Sequence, residues 1–138
     1  MIAVDTNVLV RLLVKDDAAQ TRKVVALFKR LDVASERAYV ADVGVCEIVW
    51  VLEAGYAFER KQIAGALSQL LAARQLAFAA PDRLSRALVA FEAGRGDLAD
   101  YVIREDASAA DSSAVVTFDK ALLKESHFLP PDVYHPGP

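Results

Sequence analysis

The sequence predicts an α/β fold of three layers: a central, mostly parallel sheet of about five short strands, flanked by helices. Three observations carry this expectation. Short apolar, often β-branched runs alternate with segments whose apolar residues recur at helical spacing. The 138 residues make one domain, 1–138, with no internal repeat, low-complexity tract or linker to divide it. The chain is 54% apolar and 25% charged, a balance that fills a core and excludes intrinsic disorder.

Taken in order, residues 1–4 read as a short buried strand, which Asp5-Thr6-Asn7 ends. Residues 8–14 continue apolar, and Lys15-Asp16-Asp17 is a turn. Residues 18–31 read as a helix, with Val24, Val25, Leu27, Phe28 and Leu31 to one side and Arg22, Lys23, Lys29 and Arg30 outward. A second strand fits 38–41, and Asp42 suits the N-cap of a strongly apolar helix over 43–56. Residues 59–73 place Ile63, Leu67, Leu70 and Leu71 at helical spacing, and a strand follows at 76–80. Pro81 favours the first turn of a helix that Gly94-Arg95-Gly96 ends at residue 93. Asp97 opens a helix to about residue 107. Residues 114–118 form a β-branched strand and 119–125 a short helix. Pro130-Pro131 breaks the chain, a last strand is expected over 133–135, and the tail from about residue 130 is loosely attached.

Composition narrows the function. The net charge of −3 excludes the broad basic surface of a protein that coats nucleic acid, although a cluster of metal-binding acids would be neutralised by its own cations. A single cysteine, Cys46, excludes a disulfide framework or a cysteine-rich zinc site, and points to a reducing cytoplasm. No run approaches the ~20 apolar residues of a membrane span, and Asp5 and Arg11 interrupt any signal-peptide-like stretch. His127 and His135 are isolated, and surface or packing roles suit them.

Several acids stand where ligands bind in such sheets, beyond the carboxyl ends of strands. Asp5 follows the first strand, Asp119 follows the strand at 114–118, and Asp97 and Asp100 open a helix after a glycine loop. Glu47 lies within Val45-Cys46-Glu47-Ile48-Val49-Trp50-Val51-Leu52, where an unpaired buried carboxylate would cost several kcal/mol or take up a proton. Each has a simpler role available: Asp5, Asp97 and Asp119 as caps, Asp100 as a favourable charge in a first turn, Glu47 in an ion pair. If the topology gathers them at one sheet edge, their repulsion calls for protonation or a divalent ion. Oxygen-only donors select magnesium or manganese, the ions of phosphodiester chemistry.

These residues resemble the PIN-domain ribonucleases, and within them the VapC-type toxins of bacterial and archaeal toxin–antitoxin pairs. The resemblance rests on Asp5-Thr6-Asn7-Val8-Leu9, the Glu47 helix, Asp97-Leu98-Ala99-Asp100-Tyr101-Val102-Ile103 and Val116-Thr117-Phe118-Asp119-Lys120, in that order across nearly the whole chain. It implies a magnesium- or manganese-dependent endoribonuclease in which Asp5, Glu47, Asp100 and Asp119 are the acidic quartet, leaving 5′-phosphate and 3′-hydroxyl ends. Asp5 and Asp100 would be direct metal ligands. Glu47 and Asp119 would complete the site directly or through water, one of them helping to deprotonate the attacking water. Asp97 lies one turn before Asp100 and could share its role. Thr6, Asn7 and Thr117 match the polar positions that orient the acids. Residues 105–113 lack the glycine often found before the last strand of the family. An RNA substrate, a cognate antitoxin and a homodimer follow from the same resemblance.

Basic residues should rim an acidic pocket that receives RNA. Arg11, Arg95, Arg104 and Lys120 are the candidates, each with the alternative of an ordinary surface charge, Arg104 also as a partner of Asp100. The rival readings are an inactive PIN-like protein-interaction module and a phosphatase or receiver domain. A phosphatase of the haloacid dehalogenase type wants an aspartate where Asn7 stands, and a receiver wants an acidic pair where Asp5 is alone.

Overall fold

The computed structural model describes residues 1–137 and confirms the α/β class. In chain order the elements are β1 (Ile2–Ala3), α1 (Thr6–Leu13), α2 (Ala18–Val33), β2 (Ala38–Val40), α3 (Asp42–Tyr56), α4 (Arg60–Ala72), β3 (Leu76–Phe78), α5 (Pro81–Ala93), α6 (Leu98–Ala109), β4 (Val115–Val116), a 3-10 turn (Leu122–Lys124) and β5 (Phe128–Leu129). The residues cluster into two compact units, Met1–Pro81 and Asp82–Pro138.

The first unit holds a parallel sheet in the order β1-β2-β3, with Ile2 opposite Ala38 and Ala38 opposite Leu76. Its middle strand is buried at Ala38 and Val40, as a strand covered on both faces should be. The edge strand β1 is not: Ile2 and Ala3 are exposed, which corrects the expectation of a buried first strand. Strand β1 spans only two residues and has a neighbour on one side only among the described strands. Helix α3 buries Val45, Cys46, Ile48, Val49 and Leu52. Helix α4 starts from a reciprocal cap in which the Glu59 backbone donates to the Gln62 side chain and the Glu59 carboxylate accepts from the third helical N–H.

The second unit pairs β4 with β5, also in parallel, Val115 opposite Phe128 and Val116 opposite Leu129. Its buried residues are Leu84, Ala87, Leu88 and Phe91 of α5, Leu98, Tyr101 and Val102 of α6, and Leu122 and Phe128. Among the described residues the five strands are thus all parallel and divided three and two between sheets.

Three further boundaries differ from the sequence reading. The apolar run at 8–14 is helical, because Asp5 caps a helix that starts at Thr6. Asp42 is the first residue of α3 rather than its cap; Ala41 holds the cap position without a side-chain bond, and Asp42 serves as the favourable acid of the first turn. No strand covers 133–135. Val133 lies in a turn and the exposed Tyr134 and His135 are irregular, while the strand forms earlier, at Phe128–Leu129, where Phe128 is buried. The segment 131–137 is exposed throughout.

Candidate functional site

Asp5 stands at the carboxyl end of β1 as the N-cap of α1, with its carboxylate exposed and accepting the Asn7 N–H at 2.7 Å. Thr6 is buried, and its hydroxyl reaches the Gly44 carbonyl at 3.5 Å. That contact sets the start of α1 against the turn of α3 that precedes Glu47. Asn7 contributes its backbone N–H here, while the residue itself is exposed.

Glu47 is exposed, which corrects the expectation of a costly buried carboxylate. The reason is the helix period. Helix α3 carries more apolar residues than one face can bury, so Val43 and Trp50 remain 63% and 44% exposed on Glu47's side. A shallow groove lined by Glu47, Trp50, Val51, Ala54 and Gly55 runs there. No hydrogen bond or ion pair among the described residues joins Glu47 to Asp5.

In the second unit the acids are close enough to feel one another. Asp97 caps α6, its carboxylate accepting from Leu98 N–H at 2.9 Å and from the third helical N–H, while the Asp100 carboxylate reaches back to the Asp97 N–H at 2.9 Å. Asp119 closes its own turn: it accepts from Ala121 N–H at 2.9 Å, and its N–H donates to the Thr117 hydroxyl at 3.1 Å. The Thr117 hydroxyl thus holds the backbone of Asp119. Asp100 is half-buried and its pKa is raised, first by desolvation, which the bond from the Asp97 backbone offsets in part, and then by the charges of Asp97, Asp119 and Glu125.

A common pattern runs through these acids. Asp5, Asp97, Asp100 and Asp119 each turn a carboxylate oxygen to a nearby backbone N–H, so the simpler capping roles are realised in full. No group of three or more His, Cys, Asp and Glu side chains among the described residues is placed to hold a metal ion. A carboxylate offers about four acceptor sites, however, and one amide occupies one of them. Among the described residues no lysine, arginine or histidine forms an ion pair with Asp5, Glu47, Asp100 or Asp119. Each of these side chains offers only oxygen donors, the type that a hard divalent cation takes.

Two of the basic candidates are committed elsewhere. Arg11 pairs with Asp16, whose other oxygen accepts from the Tyr56 hydroxyl at 2.8 Å. Asp16 is held below the ordinary carboxylate pKa by that hydroxyl, with Arg11 adding to the effect. Arg104 does not pair with Asp100. Its guanidinium lies over the rings of Tyr101 and Phe128, at 5.1 and 5.4 Å from their centroids, and donates to the Ser126 carbonyl. Arg95 and Lys120 are exposed.

A model of the PIN domain matches residues 2–126. The chain belongs to the PIN-domain family. PIN domains are generally nucleases that act with divalent metal ions, and the matched region of this PIN domain contains all four predicted acids. No curated protein matches the chain.

In this PIN domain the loop before β4 turns on a residue other than glycine. Asp111 takes φ 61°, a left-handed conformation that aspartate tolerates better than most residues, so the loop turns without glycine. Sequence reasoning missed Glu125, whose carboxylate accepts from the buried Tyr101 hydroxyl with its oxygens 2.7 and 3.0 Å away. The only signal was an acid at the end of a short predicted helix, and nothing local links it to a tyrosine 24 residues earlier.

The raised pKa of Asp100 makes a prediction about pH. An acid whose folded-state pKa lies above its unfolded value favours folding at low pH, and that contribution is lost as pH rises through the raised value. Without metal, Asp100→Asn is therefore expected to melt higher than the wild type near pH 7, with the gap closing once pH falls below the ordinary carboxylate range. The Asn side chain keeps an acceptor for the Asp97 N–H. Thermal melts across pH check this, and a gap that widens toward acid would contradict it.

Proposed function

We propose that this PIN domain is a magnesium- or manganese-dependent endoribonuclease, with Asp5, Glu47, Asp100 and Asp119 as its acids and Asp97 sharing the role of Asp100. The carrying observation is Asp100: a desolvated carboxylate crowded by Asp97, Asp119 and Glu125, with no basic side chain ion-paired to it among the described residues. A divalent ion held by these carboxylates would offset that crowding and would supply Lewis acidity toward a water and the scissile phosphate. Thr6, Asn7 and Thr117 support the acids. Arg95 and Lys120, both exposed, are the stronger candidates for RNA phosphate contacts, with Arg11 and Arg104 behind them because their guanidinium groups are already engaged.

The finer reading is the toxin of a type II toxin–antitoxin pair, cytoplasmic and homodimeric. What supports a protein partner is the apolar residue exposed on the Glu47 side of α3, Trp50 above all. No helix of the described residues is long and apolar enough to cross a membrane.

The test is a cleavage assay on total RNA with added magnesium or manganese, with the cut ends mapped. Metal-dependent cuts bearing 5′-phosphates are expected, together with a melting temperature that rises with metal. At a hundredfold excess over Kd a single bound ion stabilises by about 2.7 kcal/mol. If neither metal supports cleavage nor shifts the melt, the inactive interaction module replaces the nuclease.

A further inference from the structure

The glycine loop before α6 is built around one hydroxyl. Tyr101 is fully buried, and its hydroxyl accepts from Gly96 N–H at 2.9 Å and shares its one proton with the Glu125 carboxylate, whose oxygens lie 2.7 and 3.0 Å away. A Cβ at Gly96 would fall 3.1 Å from that hydroxyl and 2.6 Å from Leu122, and one at Gly94 would fall 2.1 Å from the hydroxyl. Both glycines therefore leave room for the tyrosine. The next residue, Asp97, caps α6, and Asp100 caps it in return.

Glu125 directly follows the 3-10 turn that Asp119 leads into. One turn further along α6, Arg104 grips the same segment, donating to the Ser126 carbonyl and lying over Phe128. Helix α6 thus holds residues 125–128 at two points, and the first is the residue beside Asp100.

We propose that Tyr101, held by Glu125, is a positioning residue of the acid site: it fixes the Gly94–Gly96 loop and the start of α6, and through them the placement of the Asp97 and Asp100 carboxylates relative to Asp119. The inference rests on the nuclease reading for its consequence but not for its geometry. Tyr101 acts through the loop. Burying a hydroxyl and half-burying a carboxylate is costly unless they are paired, and an apolar phenylalanine would fill the same space, so stability alone does not account for the pair.

The test uses the whole chain as Tyr101→Phe, Glu125→Ala and Glu125→Gln, with two readouts. The first is amide hydrogen exchange in the metal-free protein. Tyr101→Phe and Glu125→Ala are expected to speed exchange at Gly96, Asp97 and Asp100 by about tenfold or more while the middle of α5 stays protected. Glu125→Gln, which keeps an acceptor for the tyrosine, is expected to restore protection. The second readout is the manganese concentration for half-maximal binding of the ion alone, expected to rise about tenfold in Tyr101→Phe, as for the loss of an orienting neighbour of a ligand.

A loss of protection at Gly96 alone, with Asp97, Asp100 and the manganese midpoint unchanged, would make Tyr101 a packing residue and overturn the proposal. Should Tyr101→Phe fail to fold, Glu125→Ala set against Glu125→Gln decides the same question. If the wild type binds no manganese and cuts no RNA, the nuclease reading falls, while the exchange data still decide whether Tyr101 positions the loop.

Discussion

Asp5→Asn is expected to abolish metal-dependent RNA cleavage while leaving the fold intact. The two halves of that outcome come from different properties of one side chain. Its Oδ1 accepts the Asn7 N–H at 2.7 Å and caps α1. Asparagine keeps that acceptor and ranks with aspartate as a cap, so helix stability should change by no more than a few tenths of a kcal/mol. What asparagine lacks is the negative charge, and a neutral amide oxygen is a much poorer ligand for a hard divalent ion. If Asp5 holds the metal, losing it removes several kcal/mol of transition-state stabilisation, a rate loss of about 10³-fold. Asp5→Ala separates the effects: it should show the same loss of cleavage together with about 1 kcal/mol of lost stability. Rates on total RNA and melting curves of the three proteins check this. A contaminant-free Asp5→Asn protein that cuts at the wild-type rate removes Asp5 from the mechanism.

That separation of charge from capping shows why the acids could be read from the sequence while their environments could not. Asp5, Asp97 and Asp119 each follow a strand or a loop and precede a helix or turn, a local pattern that identifies caps and ligands alike. Helices α2 and α4–α6 were legible because each has an apolar stripe with breakers beside it. Helix α1 was not, because eight residues of nearly continuous apolar character fit a strand or a helix equally, and only the Asp5 cap decides. Glu47 was misplaced for a related reason. An almost wholly apolar helix does not reveal which side faces solvent, and the exposure of Val43 and Trp50 is a tertiary fact. The sequence offers Arg11 and Arg104 as phosphate contacts or surface charges, and Arg104 also as a partner of Asp100, because their actual partners, Asp16 with Tyr56 in one case and Ser126 with Phe128 in the other, are settled by packing. The Tyr101–Glu125 pair was beyond reach for the same reason, as it joins two elements 24 residues apart.

The second large effect is expected at Gly94. No positive φ requires glycine there, so a conformational argument predicts that alanine is tolerated or even stabilising. The space around it says otherwise. A Cβ at this position falls 2.1 Å from the Tyr101 hydroxyl, 2.7 Å from Glu125 Oε1 and 2.8 Å from the Ala90 carbonyl. The last is backbone and cannot swing aside, and it already accepts the Gly94 N–H at 2.8 Å. The tyrosine must therefore move, and moving it breaks its bonds to Glu125 and Gly96 inside a buried site. Overpacking costs about 1–3 kcal/mol. A buried hydroxyl left without its partners costs a further ~1–3 kcal/mol. Gly94→Ala should accordingly lower the melting temperature by roughly 10 °C or more for a chain of this size. Deleting the hydroxyl should return part of the loss. In the double variant Gly94→Ala/Tyr101→Phe the 2.1 Å contact disappears while the one to Ala90 remains, so its destabilisation should be smaller than the sum of the single changes. Strict additivity would mean that the tyrosine hydroxyl is not what Gly94 makes room for, and a Gly94→Ala protein melting within a degree or two of the wild type would show that the loop has slack the structure does not indicate.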